Sequence, residues 1–118
     1  MREEVGGYVY ILASARNGTL YTGSARNLVS RIGQHREGVW CTFTQKYDVK
    51  NLVWFECHDS IAGAYRREQL IKRWRRAWKI ALIEENNPNW EDLYPALLSQ
   101  TLPGRMPREG GAESRDPV

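Results

Sequence analysis

The sequence predicts a small α/β domain of the α+β kind. Its three-stranded, mainly antiparallel sheet is flanked by helices in the order β-β-α-β-α-α. Three observations predict this. Two short runs rich in β-branched and aromatic residues, Tyr8–Ala13 and Thr19–Gly23, lie on either side of Asn17-Gly18, the strongest hairpin signal in the chain. A third such run, Leu52–Cys57, is apolar enough to be a central strand. The segments between and after these runs carry helix caps and helical spacing.

Taken in order, the hairpin comes first. Asn27 is then a good N-cap, and Leu28, Val29 and Ile32 follow at helical spacing. Gly38 suits the C′ position that ends this helix, and Gly33 weakens it by about 1 kcal/mol relative to Ala. Val39–Lys50 reads as an irregular surface loop. After the third strand, Asp59 or Ser60 caps a helix running to about Trp74. Arg75–Asn86 is helical again, and the spacing does not place a break between the two. Asn87-Pro88 stops it. Asn89–Leu98 holds a short helix or turn packed by Trp90, Leu93, Tyr94 and Leu97. From Ser99 onward three prolines, three glycines and no aromatics describe a flexible tail. The domain is therefore expected over residues 1–98 and the tail over residues 99–118. No internal repeat is present.

The chain has 118 residues, 42% of them hydrophobic and 26% charged, which fits one soluble globular domain, expected as a monomer. No apolar run approaches the roughly 20 residues that span a bilayer, and no leader-like apolar segment follows Met1–Glu4. The expected compartment is cytoplasmic, with no membrane partner. Cys41 and Cys57 form no CxxC pair, which excludes a disulfide scaffold and a zinc ribbon and predicts two reduced, mostly buried thiols. Net charge is +3. Arg66, Arg67, Lys72, Arg73, Arg75, Arg76 and Lys79 are concentrated in fourteen positions with one acid, Glu68. Such a segment is the electrostatic footprint of a phosphate binder, although most charge runs are solvated helix faces. Trp74 and Trp78, four apart within it, could stack bases or could be core.

Several residues suggest chemistry. Tyr10 and Tyr21 stand on the two hairpin strands, and Tyr8 shares a strand face with Tyr10. Arg31 and His35, four apart, flank the Leu28–Ile32 stripe. Glu68 falls on the line Ile61–Ala64/Tyr65–Glu68–Ile71, so it borders an apolar stripe. A lone carboxylate there needs a cation, either a neighbouring basic side chain or a divalent metal.

The string YVYIL, LYTGS, NLVSRIGQH and RREQLIK, in this order and spacing, resembles the GIY-YIG nuclease domain over about Gly7 to Asn86. It is most similar to small stand-alone bacterial members and to the N-terminal catalytic domain of the nuclease component of excinuclease ABC. Tyr8-Val9-Tyr10 stands for GIY and Tyr21-Thr22-Gly23 for YIG. Arg31, His35 and Glu68 fall where the family has its arginine, its His or Tyr, and its metal-binding glutamate. Three positions depart from the pattern. Tyr8 replaces the first glycine, Ser24 stands where many members have lysine, and Ile80 lies near the family's late asparagine, for which Asn86, Asn87 or Asn89 are the alternatives.

The resemblance implies a Mg²⁺- or Mn²⁺-dependent endonuclease that hydrolyses DNA phosphodiesters, directed by DNA structure and linked to repair or recombination. RNA stays open as a partner. Tyr21 is the base and Tyr10 its hydrogen-bonded partner, with the converse open. A tyrosine with a pKa near 10 is a poor base at pH 7 unless cations lower that value. Arg31 binds the non-bridging oxygens, Glu68 holds the metal, and His35 orients the water or relays its proton. Gly23 is a close-approach position where a side chain would block the phosphate. The five side chains are expected in one concave pocket beside the hairpin. Two rivals are a non-catalytic nucleic-acid-binding module of the same fold and an adaptor whose basic helix docks on an acidic protein.

Overall fold

The computed structural model describes residues 5–37 and 42–100. Strands β1 (Gly7–Ala13), β2 (Leu20–Ala25) and β3 (Asn51–His58) form one sheet in the order β2-β1-β3. Both pairings are antiparallel. The helices are α1 (Leu28–Glu37), α2 (Thr42–Lys46), α3 (Ile61–Lys72), α4 (Arg76–Asn86) and α5 (Tyr94–Gln100). The expected fold class is present, with helices on both faces of the sheet.

The alternation of β1 builds that sandwich. Val9, Ile11 and Ala13 point to one face, where Ile71 of α3 and Ile83 of α4 complete a core cluster. Tyr10 and Leu12 point to the other, against Leu28 and Ile32 of α1, with Leu93, Tyr94 and Leu97 packed on the outside. The hairpin turns through Ala15–Gly18, with the Gly18 amide donating to the Ala15 carbonyl at 2.8 Å. Asn17 takes the left-handed conformation there, φ 60°, which Asn tolerates better than most residues. Asn27 caps α1 by accepting from the Ser30 amide at 3.0 Å. Of the two candidate caps for α3 it is Ser60 that serves, accepting from Gly63 N–H.

Four expectations are corrected. β3 is an edge strand, not the central one. Its apolar side chains enter both core clusters, Val53 and Trp54 on one face and Leu52 on the other, and its edge backbone is covered as well. A β-bulge at Val53 frees a carbonyl that the buried Asn87 amide takes at 3.0 Å, and Leu52 exchanges bonds with Asp92 and Leu93. Within the stretch read as a loop, residues 42–46 form α2. Its end is locked by Val49 N–H on the Thr44 carbonyl and by Asp48 in the left-handed region, a Schellman-type stop. Cys57 is exposed rather than buried. Helix α5 runs through Ser99 and Gln100, two residues past the expected domain boundary. Gly38 as a C′ residue, Cys41 and the rest of the tail lie outside the described residues.

The break between α3 and α4 falls at Arg73–Arg75, where Arg75 is extended (φ −69°, ψ 159°). Pro88 ends α4 as expected. Among the described residues no helix is long and apolar enough to cross a membrane.

Candidate active site

The site wraps around β2, a strand paired on one side only. Register sets Tyr10 opposite Gly23. A Cβ at Gly23 would stand 2.6 Å from the Tyr10 hydroxyl and 3.2 Å from Cε2 of Tyr21. The close approach at Gly23 is made by the two tyrosine rings.

Tyr10, Tyr21 and His35 form an aromatic triangle. Ring centroids are 6.4 Å apart for Tyr10–Tyr21, 5.9 Å for Tyr10–His35 and 5.2 Å for Tyr21–His35. Tyr10 and His35 are fully buried, whereas Tyr21 is half-buried. The Tyr10 hydroxyl and His35 Nε2 are 3.1 Å apart, and His35 Nδ1 lies 3.1 Å from Thr44 Oγ1. Both imidazole nitrogens are thus engaged by protein hydroxyls. Burial first and the Arg31 charge second pull the His35 pKa from 6.5 down to about 4, so its ring is neutral at pH 7, one nitrogen donating and the other accepting. Burial first and Tyr21 second push the Tyr10 phenol well above its ordinary value, against the opposing hydrogen bond and charge of Arg31.

The other half of the site lies across the strand. Ser24 faces α3 and donates its hydroxyl proton to Glu68 Oε1 at 2.5 Å. Lys72, one turn on from Glu68, places Nζ 2.6 Å from Oε2. Glu68 is buried, and its charge is met by this ammonium and this hydroxyl. Arg31 joins the halves. Its Nη1 donates to the Ser24 carbonyl at 3.1 Å while the guanidinium bears on Tyr10.

The structure therefore brings Tyr10, Tyr21, Gly23, Arg31, His35 and Glu68 together through a continuous set of contacts. The one concave pocket expected for them is not what holds them, because Tyr10 and His35 sit inside the core. An open cleft of about 570 Å³ lies between α1 and α3, lined by Ser24 and Arg31 together with Arg26, Gln34 and Tyr65. Sequence reasoning missed two members. Ser24 entered only as a departure from a pattern, and Thr44 lay in a stretch without readable periodicity. Ile80 packs against the core. Asn87 is buried in the β3 edge, and Asn86 and Asn89 are exposed.

The basic segment is divided. Arg67 pairs with Glu56, Lys72 with Glu68, and Arg76 donates to the carbonyls of Asn17 and Gly18 in the hairpin turn. Arg66, Arg73 and Arg75 are exposed. Lys79 has its pKa lowered, first by burial and then by the charges of Arg76 and Lys72. Trp74 packs against the core while Trp78 is 52% exposed, with ring centroids 6.0 Å apart and Arg75 over the Trp78 ring.

Comparison with known proteins identifies the family. Residues 6–81 match the family described as the GIY-YIG catalytic domain. A UPF0213 protein of Syntrophus aciditrophicus is 39% identical over 80 residues, 67% of this chain and 91% of the relative. A UPF0213 protein of Staphylococcus saprophyticus is 36% identical over 78 residues, 66% of this chain and 94% of the relative. A solution NMR structure of a UPF0213 protein from Bacillus halodurans aligns with TM-score 0.46 and 29% identity, covering 73% of this chain and 90% of that one. With the family matched from ahead of β1 into α4, the chain belongs to the GIY-YIG catalytic domain family, a family of nucleases.

Proposed function

We propose that this chain is a Mg²⁺- or Mn²⁺-dependent endonuclease that hydrolyses phosphodiester bonds of DNA. The observation that carries the reading is the division of labour around β2. A half-buried tyrosine stands before a buried Tyr10–His35–Thr44 chain, and Arg31 connects it to a buried carboxylate. Tyr21, having first given its own proton to solvent, takes the proton of the attacking water as the phenolate; Tyr10 cannot, because it has no solvent access and its proton is held by burial. Arg31 supplies the positive charge that favours this phenolate and can bind non-bridging phosphate oxygens. As the water oxygen bonds to phosphorus, the bond to the leaving oxygen breaks and that oxygen takes up a proton from solvent water. His35 acts through Tyr10 as a positioning residue, since it cannot touch the water.

The residues fit a hard divalent cation. Oε2 of Glu68 already holds an ammonium, so the position stabilises positive charge, and Ser24 orients the carboxylate from the other oxygen. Glu68 would hold the metal, which when bound supplies charge neutralisation at the phosphate and leaving oxygen. Arg66, Arg73 and Arg75 are placed to meet the DNA backbone, a sequence-independent contact that suits a structure-directed role in repair or recombination.

One observation favours a second reading. Both oxygens of Glu68 have protein partners, as they would in a module that binds nucleic acid without cutting. Incubating the protein with supercoiled plasmid, branched DNA and single strands, with and without Mg²⁺ or Mn²⁺, separates the two. Metal-dependent cleavage supports the enzyme. Salt-sensitive binding without cleavage supports the module.

A further inference from the structure

We propose that Phe43 and Tyr47 form a stacking platform for an unpaired nucleobase beside Tyr21, so that the site prefers single-stranded nucleic acid to intact duplex. The proposal rests on the functional reading above and names its substrate class.

An aromatic ladder leads outward from the site. The Tyr21 and Phe43 ring centroids are 6.0 Å apart with planes at 34°, and Phe43 and Tyr47 are 4.8 Å apart. Phe43 is 42% exposed and Tyr47 46%. Large rings left in water forgo hydrophobic stabilisation, and here two adjacent ones do so next to the proposed base. Lys46 sets its Nζ 5.5 Å from the Tyr47 ring centroid, adding the cation that accompanies stacking surfaces in strand-binding grooves.

The rings are held in place. Thr44, between them in sequence, is buried and bonded to His35. Val49 is buried, and the Schellman-type stop at Asp48 fixes the end of α2. The same buried threonine thus ties the platform to Tyr10 and Tyr21 through His35. A base in a duplex is stacked on its neighbours and cannot lie on such a surface, whereas an unpaired base whose own phosphate sits at Tyr21 and Arg31 can.

The test is binding of a fluorescein-labelled oligothymidine and of an equal-length duplex, in a chelator, by the full chain and by Phe43→Leu and Tyr47→Leu. Leucine retains apolar bulk without a stacking face. We expect each variant to lose about ten-fold in single-strand affinity, within the range for one stacked base, and to bind duplex within about two-fold of wild type. Tyr47→Trp, which keeps a ring, should retain single-strand binding even if a leucine variant folds poorly. Equal losses on both substrates, no loss on the single strand, or a Trp variant as weak as the leucine one overturns the platform. Binding that follows the expected pattern in a protein that cuts nothing sinks the nuclease reading and leaves the platform. Cleavage of both substrates regardless of Phe43 and Tyr47 does the reverse.

Discussion

Lowering the pH should destabilise this domain through one residue, His35. Its imidazole is buried as the neutral form, with a pKa near 4 in the folded chain against 6.5 unfolded. Between these values the unfolded chain binds more protons, so stability is full above pH 6.5 and falls as the pH drops towards 4. Each unit corresponds to about 1.36 kcal/mol, so the loss is roughly 2 kcal/mol at pH 5 and roughly 3 kcal/mol near pH 4. The assay is urea denaturation of wild type and His35→Gln at pH 7.5 and 5.0. Glutamine removes the titration while keeping hydrogen-bonding capacity towards Tyr10 and Thr44. All other titrating groups are common to both proteins, so wild type should lose about 2 kcal/mol more than the variant across that interval. Equal losses would refute the claim that His35 is buried and neutral, and with it the assignment of His35 as a positioning residue.

Three further outcomes follow from packing and charge. Gly23→Ala drives a Cβ to 2.6 Å from the Tyr10 hydroxyl and should lower stability by about 1–3 kcal/mol in thermal melts; an unchanged melting temperature would mean the tyrosine rings yield freely. Asn87→Ala leaves the Val53 carbonyl and two Glu91 backbone groups without their partner, for a loss of about 1–3 kcal/mol. If activity rather than stability falls in that variant, Asn87 belongs to the site after all. Neutralising Arg73 and Arg75 to Gln should flatten the dependence of duplex binding on salt by a slope of about 1 to 2, and an unaltered slope would remove them from the DNA interface.

Much of the fold was legible because local chemistry and tertiary structure agree. Asn17-Gly18, Asn27, Ser60 and Pro88 mark turns, caps and a stop that the structure uses. Elsewhere the decisive forces are not local. No glycine or proline lies between Lys72 and Arg76, yet the helix breaks there as Trp74 packs into the core. A five-residue helix is too short to show a period, and α2 is secured by Thr44 on His35 and by the Asp48 turn. β3 reads as central because its side chains enter both core clusters, yet a segment beyond Pro88 rather than a strand covers its edge. The candidate residues were legible as a set in order, since their spacing follows the family's. Its internal division was not. Nothing in sequence separates a buried Tyr10 from a half-exposed Tyr21, or shows that Arg67 and Arg76 spend their charge on Glu56 and the hairpin turn. The Ser24 hydroxyl on Glu68 depends on a contact between residues forty-four apart.

The central claim is that Tyr21 and Glu68 are the working ends of one metal-dependent active site. Nicking of supercoiled plasmid by wild type, Tyr21→Phe and Glu68→Gln across a Mg²⁺ titration, with circular dichroism as the folding check, tests it most directly. Wild type should nick only with metal, and both folded variants should lose at least about 100-fold, since even outer-shell changes at metal sites remove 10–100-fold. Glu68→Gln cutting as well as wild type at the same Mg²⁺ concentration would contradict the account.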